Sequence, residues 1–295
     1  MKVLVLGSNG MLAKQLLNDL RSGYSELGRI PEQFAGAEIL TADIDTLDIS
    51  DKDAVLRFFD AQKPDIVFNC AAYTNVDGCE TDYETAYKAN AIGPRNIAIA
   101  CEKTGAKLVH ISTDYVFSGR YAAPRREFDI ADPVSAYGKT KYAGEQYVRD
   151  FCSRYFIIRT SWLYGYYGKN FVKTMVRLCR ERGGAMVVND QHGTPTNRAD
   201  LSYHMMKVAA GEEYGIYHCT GNGAECTWYD FACEIARLAG YEGVMRPCTS
   251  EEYPSPTKRP EYSNLDNMML RLTCGDEMRD WKDALEEFFK KWNGQ

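Results

Sequence analysis

Short apolar runs alternate with longer amphipathic stretches through the first half of the chain. The runs predict strands at 2–6, 37–41, 66–69, 107–111 and 155–160. Uninterrupted apolar runs suit strands that are covered on both faces, as in a parallel sheet. Helical spacing of apolar residues separates most of these runs, so the pattern favours the α/β class with a Rossmann-type, doubly wound parallel sheet.

Beyond Gly165 the alternation is less regular. We predict a dinucleotide-binding Rossmann domain over 1–165. The rest, 166–295, is predicted to be mainly a smaller substrate-binding lobe, interwoven with the first domain because segments around 187–220 return to it. The pattern predicts helices that start near residue 12 and at 51–61, 83–104, 137–150, 170–182, 198–210, 228–239 and 277–292, an extended segment at 187–196 and a strand at 215–219.

Composition narrows the class of protein further. Of 295 residues, 45% are apolar and the net charge is −6, which argues against a general binder of nucleic acids or anionic membranes. No apolar run approaches membrane-spanning length, and the run at 3–6 is too short for a signal peptide. Ten cysteines without a Cys-x-x-Cys pair predict reduced, mostly buried thiols in a cytoplasmic protein, and the scattered histidines predict no metal site.

The first predicted strand runs into a glycine-punctuated turn. Gly7 suits a tight turn, Gly10 allows the backbone to approach a pyrophosphate, and Ala13 allows a helix to pack closely on the sheet. The N-terminus of the following helix offers free N–H groups to phosphates. An ordinary turn is the alternative interpretation.

An acidic residue follows the second predicted strand. Asp43 is placed to bind the adenine-side ribose, and its charge would repel a 2′-phosphate, which favours NAD. Asp45 and Asp48 crowd the same loop, so the ribose ligand is not assigned to one residue. A helix cap or a solvated loop is the alternative for each of the three acids.

Tyr137 and Lys141 are four residues apart, so a helix would place them on one face. A phenol beside an ammonium is a candidate proton donor, and we expect the positive charge to lower the pKa of the tyrosine toward neutrality. The pair alone is a weak signal. Ser112 and Thr113 follow another strand, and the carboxyl ends of parallel strands meet at one edge of the sheet, which predicts a shared ligand site.

Two further polar or aromatic positions have open interpretations. Asn90 lies within the apolar face of a helix and is either a satisfied core amide or a residue that holds the catalytic helix or a water. Trp162 follows the strand at 155–160 and is either core or a wall of the substrate site.

These motifs resemble the extended short-chain dehydrogenase/reductase superfamily. The superfamily motifs are Gly7-x-x-Gly10-x-x-Ala13, Asn69-x-Ala71-Ala72, Ser112-Thr113 and Tyr137-x-x-x-Lys141. Five further motifs are AAYTNVD (71–77), STDYVF (112–117), RTSWLYG (159–165), DQHGTPT (190–196) and Arg259-Pro260. In these motifs the chain resembles one family of the superfamily, the dTDP-4-dehydrorhamnose reductases, which complete dTDP-L-rhamnose synthesis.

The resemblance implies a role for each matching residue. The implied catalytic residues are Thr113, Tyr137 and Lys141. The implied cofactor-binding residues are Gly7, Asn9, Gly10, Met11, Leu12, Asp43, Asp48, Ile49, Ala71, Ala72, Tyr73, Ile111, Tyr137 and Lys141. The implied substrate-binding residues are Thr74, Val76, Thr113, Asp114, Tyr137, Trp162 and Arg259. Lys258 and Arg259 are also candidates for the substrate diphosphate.

Two positions depart from the family pattern. Gln15 stands where family members have a glutamate that helps to hold magnesium at a dimer interface, so magnesium is not supported here, and either a monomer or a homodimer is expected. Tyr73 stands where a histidine is common, which alters contacts near the nicotinamide.

The implied activity is reduction, by NADH or NADPH, of the C4 ketone of dTDP-4-dehydro-L-rhamnose. The expected partner is a nucleotide sugar, with no nucleic acid and no membrane. Three alternatives stay open. They are a sugar-nucleotide epimerase or dehydratase of the superfamily, a non-catalytic cofactor-binding regulatory subunit, and a reductase of a GDP- or UDP-linked sugar.

Overall fold

Six parallel strands form the central sheet of the protein, in the order Gly215–His218, Tyr155–Thr160, Lys107–Thr113, Ile66–Asn69, Lys2–Leu6 and Glu38–Ala42. The structure is a computed structural model that describes residues 1–241 and 244–292. In chain order the strands are β1 (Lys2–Leu6), β2 (Tyr24–Ser25), β3 (Gly28–Arg29), β4 (Glu38–Ala42), β5 (Ile66–Asn69), β6 (Lys107–Thr113), β7 (Tyr155–Thr160), β8 (Leu163–Tyr164), β9 (Ala185–Val188), β10 (His192–Gly193), β11 (Thr196–Asn197), β12 (Gly215–His218), β13 (Cys226–Thr227) and β14 (Met245–Cys248).

Helices cover both faces of this sheet. They are α1 (Met11–Ser22), α2 (Lys52–Gln62), α3 (Val76–Thr81), α4 (Tyr83–Tyr87), α5 (Gly93–Thr104), α6 (Ala136–Phe151), α7 (Phe171–Arg182), α8 (Arg198–Ala210), α9 (Trp228–Leu238), α10 (Met268–Leu272) and α11 (Trp281–Lys291). A π-helical segment, Lys88–Ile92, joins α4 to α5.

Alternate residues of β1 belong to two separate cores. Val3 and Val5 pack with apolar residues of α1 and α8, whereas Leu4 and Leu6 pack with residues of α2, α5 and α6. All four side chains are buried, which explains why this strand has no polar face. The predicted doubly wound parallel sheet is therefore confirmed.

The second half of the chain contributes to two places. Strand β12 pairs with β7 at the edge of the main sheet, and α8 packs on α1. Helices α7, α9 and α11 instead enclose an aromatic cluster that includes Phe231 and Phe288. The division at residue 165 stays a prediction, and its second region extends over 242–243 and 293–295, which lie outside the described residues.

Most predicted elements have the expected positions. Strands 66–69 and 155–160 and helix 198–210 match exactly. The helix predicted at 83–104 contains the π-helical segment, and the last helix begins only at Trp281, because the Asp280 side chain accepts a hydrogen bond from the N–H of Lys282 and caps it there. The pattern missed α3, α10 and β14, which contain only six, five and four residues and are too short to establish a periodicity.

All ten cysteines are free thiols, seven of them buried, as predicted. Across the described ranges, no helix combines the length and the apolar character that a membrane crossing requires.

Candidate active site

The glycine turn brings β1, β4 and β5 together at their carboxyl ends. Gly7 has φ +71°, and a Cβ there would lie 2.7 Å from the backbone of Ala71. Its N–H donates to the carbonyl of Ala42 at 2.9 Å. Gly10 begins α1 without a side-chain cap, so no side chain competes for the N–H groups of the first turn. The turn thus has the form of an anion site that only glycine permits.

Asp43 is bound to this turn. Its carboxylate accepts hydrogen bonds from the backbone N–H of Asn9 at 2.7 Å and of Ile44 at 2.8 Å. The side chain is half-buried and lines the same cavity as Gly7 and Gly10. The carboxylate is therefore both a structural clasp and a cavity wall.

Two adjoining cavities share the turn at Asn9 and Gly10. The first, of 530 Å³, is lined by the predicted cofactor residues Gly7, Asn9, Gly10, Asp43, Asp48, Ile49, Ala71, Ala72 and Tyr73. The second, of 430 Å³, is lined by Asn9, Gly10, Met11, Leu12, Ala72, Thr74, Val76, Ile111, Thr113, Asp114, Tyr137, Lys141 and Trp162. The two candidates for the substrate diphosphate, Lys258 and Arg259, lie elsewhere, in a third cavity of 770 Å³ that Arg120 also lines.

Tyr137 and Lys141 lie one turn apart on α6, which Ser135 caps by accepting a hydrogen bond from the N–H of Gly138. A Cβ at Gly138 would overlap the carbonyl of Tyr115, so this glycine allows α6 to pack against the segment after β6. The rings of Tyr115 and Tyr137 meet edge to face, 5.6 Å apart. Tyr137 is thereby held at the wall of the second cavity.

The pKa of Tyr137 differs from the expectation. Burial raises the pKa of the phenol above its ordinary value, the Asp114 carboxyl adds to the rise, and Thr113 opposes it. The prediction that the pKa is lowered toward neutrality is therefore wrong, because burial dominates. The phenol of Tyr137 keeps its proton at neutral pH.

Lys141 is 2% exposed, and its Nζ donates to the carbonyl of Ile111 at 2.5 Å. Burial lowers the pKa of this ammonium to about 8, while the charge of Glu145 opposes the change. A pKa near 8 leaves the ammonium largely charged at neutral pH.

Asp114 is also buried at the cavity. Burial raises the pKa of this carboxyl to about 7, against hydrogen bonds that favour its charged form. The hydroxyl of Thr113 donates to Asp114 Oδ1 at 2.8 Å, and Oδ2 has no protein partner among the described residues. Asp114 thus brings to the cavity a buried carboxyl oxygen without a hydrogen bond from the described residues.

A buried network of charged and polar side chains holds α6 against β6 and β7. Glu145, one turn beyond Lys141, receives two hydrogen bonds from the guanidinium of Arg159, at 2.9 and 2.6 Å. The hydroxyl of Ser112 donates to the same carboxylate at 2.5 Å. Because Arg159 is on β7 and Ser112 is on β6, the network fixes α6 against the strand that carries Thr113.

The hydrogen bonds of Asn90 agree with both interpretations of this residue. Its amide exchanges hydrogen bonds with the backbone of Tyr73, at 2.8 and 3.1 Å, and donates to Thr140 Oγ1 at 3.1 Å. It is fully buried. Asn90 is a satisfied core amide, and it also ties the loop after β5 to the catalytic helix.

Trp162 forms a cavity wall rather than core. Its backbone has φ +47°, uncommon for a residue with a Cβ, and its ring stacks on Trp228 with centroids 3.7 Å apart. The indole N–H donates to the hydroxyl of Ser263 at 3.1 Å, and Gly193 packs against the ring. The stack presents a flat apolar surface to the second cavity.

Several cavity residues were not predicted, namely Tyr115, Ser161, Leu163, Arg198 and Trp228. Tyr115 follows Thr113 so closely that the strand-end argument could have included it. Arg198 and Trp228 begin helices in the irregular half of the chain, and no local motif marks them.

Gln15 is buried on α1, and its amide donates to Asp19 Oδ1 at 2.9 Å. It is occupied inside the protein and does not face solvent. Over the described part of the chain, no three acidic, histidine or cysteine residues are grouped closely enough to hold a metal ion.

Comparisons with known proteins agree with this geometry. The model of the RmlD substrate binding domain family matches residues 1–293. The chain is 39% identical to the spore coat polysaccharide biosynthesis protein SpsK of Bacillus subtilis, over 98% of this chain and 97% of that protein.

Solved structures are similar over the same length. A dTDP-4-dehydrorhamnose reductase from Clostridium acetobutylicum has a TM-score of 0.92 at 47% identity, covering 98% of this chain and 99% of that one. The reductase of Bacillus anthracis in complex with NADP has a TM-score of 0.91 at 41% identity, covering 99% and 100%. The chain belongs to the dTDP-4-dehydrorhamnose reductase (RmlD) family.

Proposed function

We propose that this protein reduces the C4 ketone of dTDP-4-dehydro-L-rhamnose to give dTDP-L-rhamnose, with NADH or NADPH as reductant. One observation carries the proposal. Thr113, Tyr137 and Lys141 line a single cavity that continues into the glycine turn. A proton donor and a dinucleotide site side by side are what a carbonyl reduction requires.

The cavities fit a dinucleotide. A Cβ at Gly7 would clash with the backbone of Ala71, so only glycine allows this turn, and the first turn of α1 offers uncapped N–H groups beside it. The adenosine would lie in the first cavity beside Asp43, and the nicotinamide in the second. When bound, the reduced nicotinamide supplies a hydride to the ketone carbon.

Side chains of this protein protonate the ketone oxygen and donate a hydrogen bond to it. As negative charge develops there, Tyr137 gives its phenolic proton to that oxygen and Thr113 donates a hydrogen bond to it. Burial keeps Tyr137 protonated until a more basic alkoxide forms. The Lys141 ammonium, one turn away, stabilises the charge that then develops on the phenol.

The sugar would lie on the stacked rings of Trp162 and Trp228, whose flat face suits the C–H groups of a deoxyhexose. The unpartnered oxygen of Asp114 would accept a hydrogen bond from a sugar hydroxyl. Thr74 and Val76 line the same cavity.

The diphosphate would lie toward the third cavity, where Arg259 is the bridging residue. Its guanidinium donates to the hydroxyl of Tyr115 and to Asp77, both at 3.3 Å, so it links the second and third cavities. Arg120 and Lys258 add positive charge to that cavity.

Steady-state assays with purified protein test the proposal. NADPH or NADH oxidation that depends on dTDP-4-dehydro-L-rhamnose, with dTDP-L-rhamnose as product, would support it. Product without net oxidation would instead indicate an epimerase or dehydratase, and cofactor binding without turnover a regulatory subunit. GDP- and UDP-linked ketosugars assayed in parallel test the choice of nucleotide.

The choice of cofactor and the working form of the protein are part of the proposal. Asp43 argues for NADH, although its carboxylate already accepts two backbone hydrogen bonds. We propose that the enzyme works in the cytoplasm as a monomer or homodimer. Light scattering of the purified protein measures its oligomeric state.

A further inference from the structure

Arg198 is a buried cation without a counter-charge. It opens α8, is 4% exposed, and lines the second cavity. Within residues 1–241 and 244–292 no carboxylate pairs with it, and its one side-chain hydrogen bond runs from Nη1 to the carbonyl of Tyr167 at 3.1 Å. Burial lowers the pKa of its guanidinium to about 10. Burying an unpaired charge is unfavourable unless a ligand compensates it.

The guanidinium is connected to the start of α1 through the segment 165–168. The side-chain stem passes Gly165, where a Cβ would be 3.2 to 3.4 Å from it, and ends at the carbonyl of Tyr167. Gly168, which follows Tyr167, packs closely on Met11. A Cβ at Gly168 would lie 2.5 Å from the Met11 side chain. Met11 is the first residue of α1 and lines the same cavity as Arg198.

The surroundings are electropositive. Lys173 is close enough that the charge of Arg198 helps to lower its pKa, after burial. The first turn of α1 contains no acidic residue, and its N-terminus carries the positive end of the helix dipole. A guanidinium and uncapped N–H groups at one cavity, with the Lys173 ammonium nearby, together favour a ligand with more than one negative charge.

We propose that Arg198 binds a diphosphate from the side opposite the glycine turn, and that this diphosphate is the pyrophosphate of the nicotinamide cofactor. The inference rests on the proposed function, since it needs a dinucleotide in this cleft. The nucleotide-sugar substrate carries the same chemical group. Proximity to Met11 favours the cofactor, whereas the third cavity has its own cations, Arg120, Lys258 and Arg259.

Calorimetric titration distinguishes the diphosphate of the cofactor from that of the substrate, and it requires no turnover. ADP-ribose carries the cofactor's pyrophosphate, adenosine lacks it, and dTDP represents the substrate. We expect Arg198→Gln to weaken ADP-ribose binding about 10- to 100-fold, as for loss of charged hydrogen bonds, and to leave adenosine binding unchanged. The matched control Arg177→Gln, on the exposed face of α7, should bind ADP-ribose as the wild type does.

Arg198→Lys provides a second variant if the glutamine variant does not fold. It keeps the charge but loses the planar fork, so an intermediate loss of about 3- to 10-fold is expected. Wild-type ADP-ribose affinity in both variants would overturn the inference. A loss confined to dTDP would overturn the cofactor assignment and give the diphosphate to the substrate.

The two proposals fail in different ways. If the wild-type protein does not bind ADP-ribose at all, the dinucleotide site and hence the proposed function fail. If the wild type binds it and the Arg198 variants bind it equally well, only the role of Arg198 fails.

Discussion

The two walls of the central cleft present different kinds of atoms. The wall formed by the glycine turn offers backbone N–H groups that Gly10 leaves uncovered, beside the carboxylate of Asp43. The opposite wall consists of side chains from distant segments, with Trp162, Trp228 and Arg198 at its surface. A backbone wall can be specified by a short local motif, whereas a side-chain wall requires the whole tertiary structure.

Helix α6 carries Tyr137 and Lys141 at the second cavity, and a buried ion pair between Glu145 and Arg159 fixes its position. Removing one partner of such a pair leaves a buried charge without compensation, so Glu145→Gln should lower the free energy of unfolding by about 3–5 kcal/mol. Chemical denaturation measures this. Glu181→Gln, which breaks the exposed pair with Arg177, should cost less than about 1 kcal/mol. Equal losses for the two variants would contradict a special role for the buried pair.

Tyr137→Phe tests the proposed proton donor, which lies at the second cavity. We expect turnover to fall by roughly 100-fold or more, because the proton donor is lost, while cofactor affinity persists. Stopped-flow or steady-state NADPH oxidation measures turnover, and calorimetry measures cofactor affinity. Tyr147→Phe, on the same helix and hydrogen-bonded to Tyr87, is the control. Near-wild-type turnover in Tyr137→Phe would remove Tyr137 from the mechanism.

Gly193→Ala should damage only the side-chain wall. A methyl group there would overlap the indole of Trp162 and displace it from Trp228. We expect the KM for the ketosugar to rise about 10-fold, the equivalent of ~1.4 kcal/mol, with an unchanged Kd for NADPH. Gly211→Ala, where a Cβ would meet only ordinary contacts, is the control. A change in NADPH affinity alone would mean that the two walls are not separable.

Asp43→Ala addresses the backbone wall and should have the smallest effect. If the carboxylate repels a 2′-phosphate, the variant should bind NADPH about fivefold more tightly, the equivalent of ~1 kcal/mol, and NADH no more tightly. Calorimetry with each cofactor measures this. An unchanged preference would mean that Asp43 acts only as the clasp on Asn9 and Ile44.

Much of the fold was predictable because it depends on local periodicity. The apolar runs gave five of the six sheet strands within two residues at either end, and β12 was predicted as a separate strand at 215–219. What periodicity could not supply was the partner of β12, since pairing with β7 joins segments more than fifty residues apart. Short elements such as α3 also escaped, because they contain less than two helical turns.

The candidate site divides in the same way. Thr113 and the pair Tyr137 and Lys141 were identifiable because strand ends and four-residue spacing have geometric consequences on their own. Arg198 and Trp228 were not, because each enters the cavity through packing of its helix and no neighbouring residue signals that position.

Local sequence alone determined the glycine turn, the one-turn spacing of Tyr137 and Lys141, and the five sheet strands between residues 2 and 160, because these follow from backbone sterics and apolar periodicity. Only the tertiary structure decided the protonation of Tyr137. The reason is physical, since burial changes a pKa through the groups and the solvent that surround a side chain, and those are assembled from the entire chain.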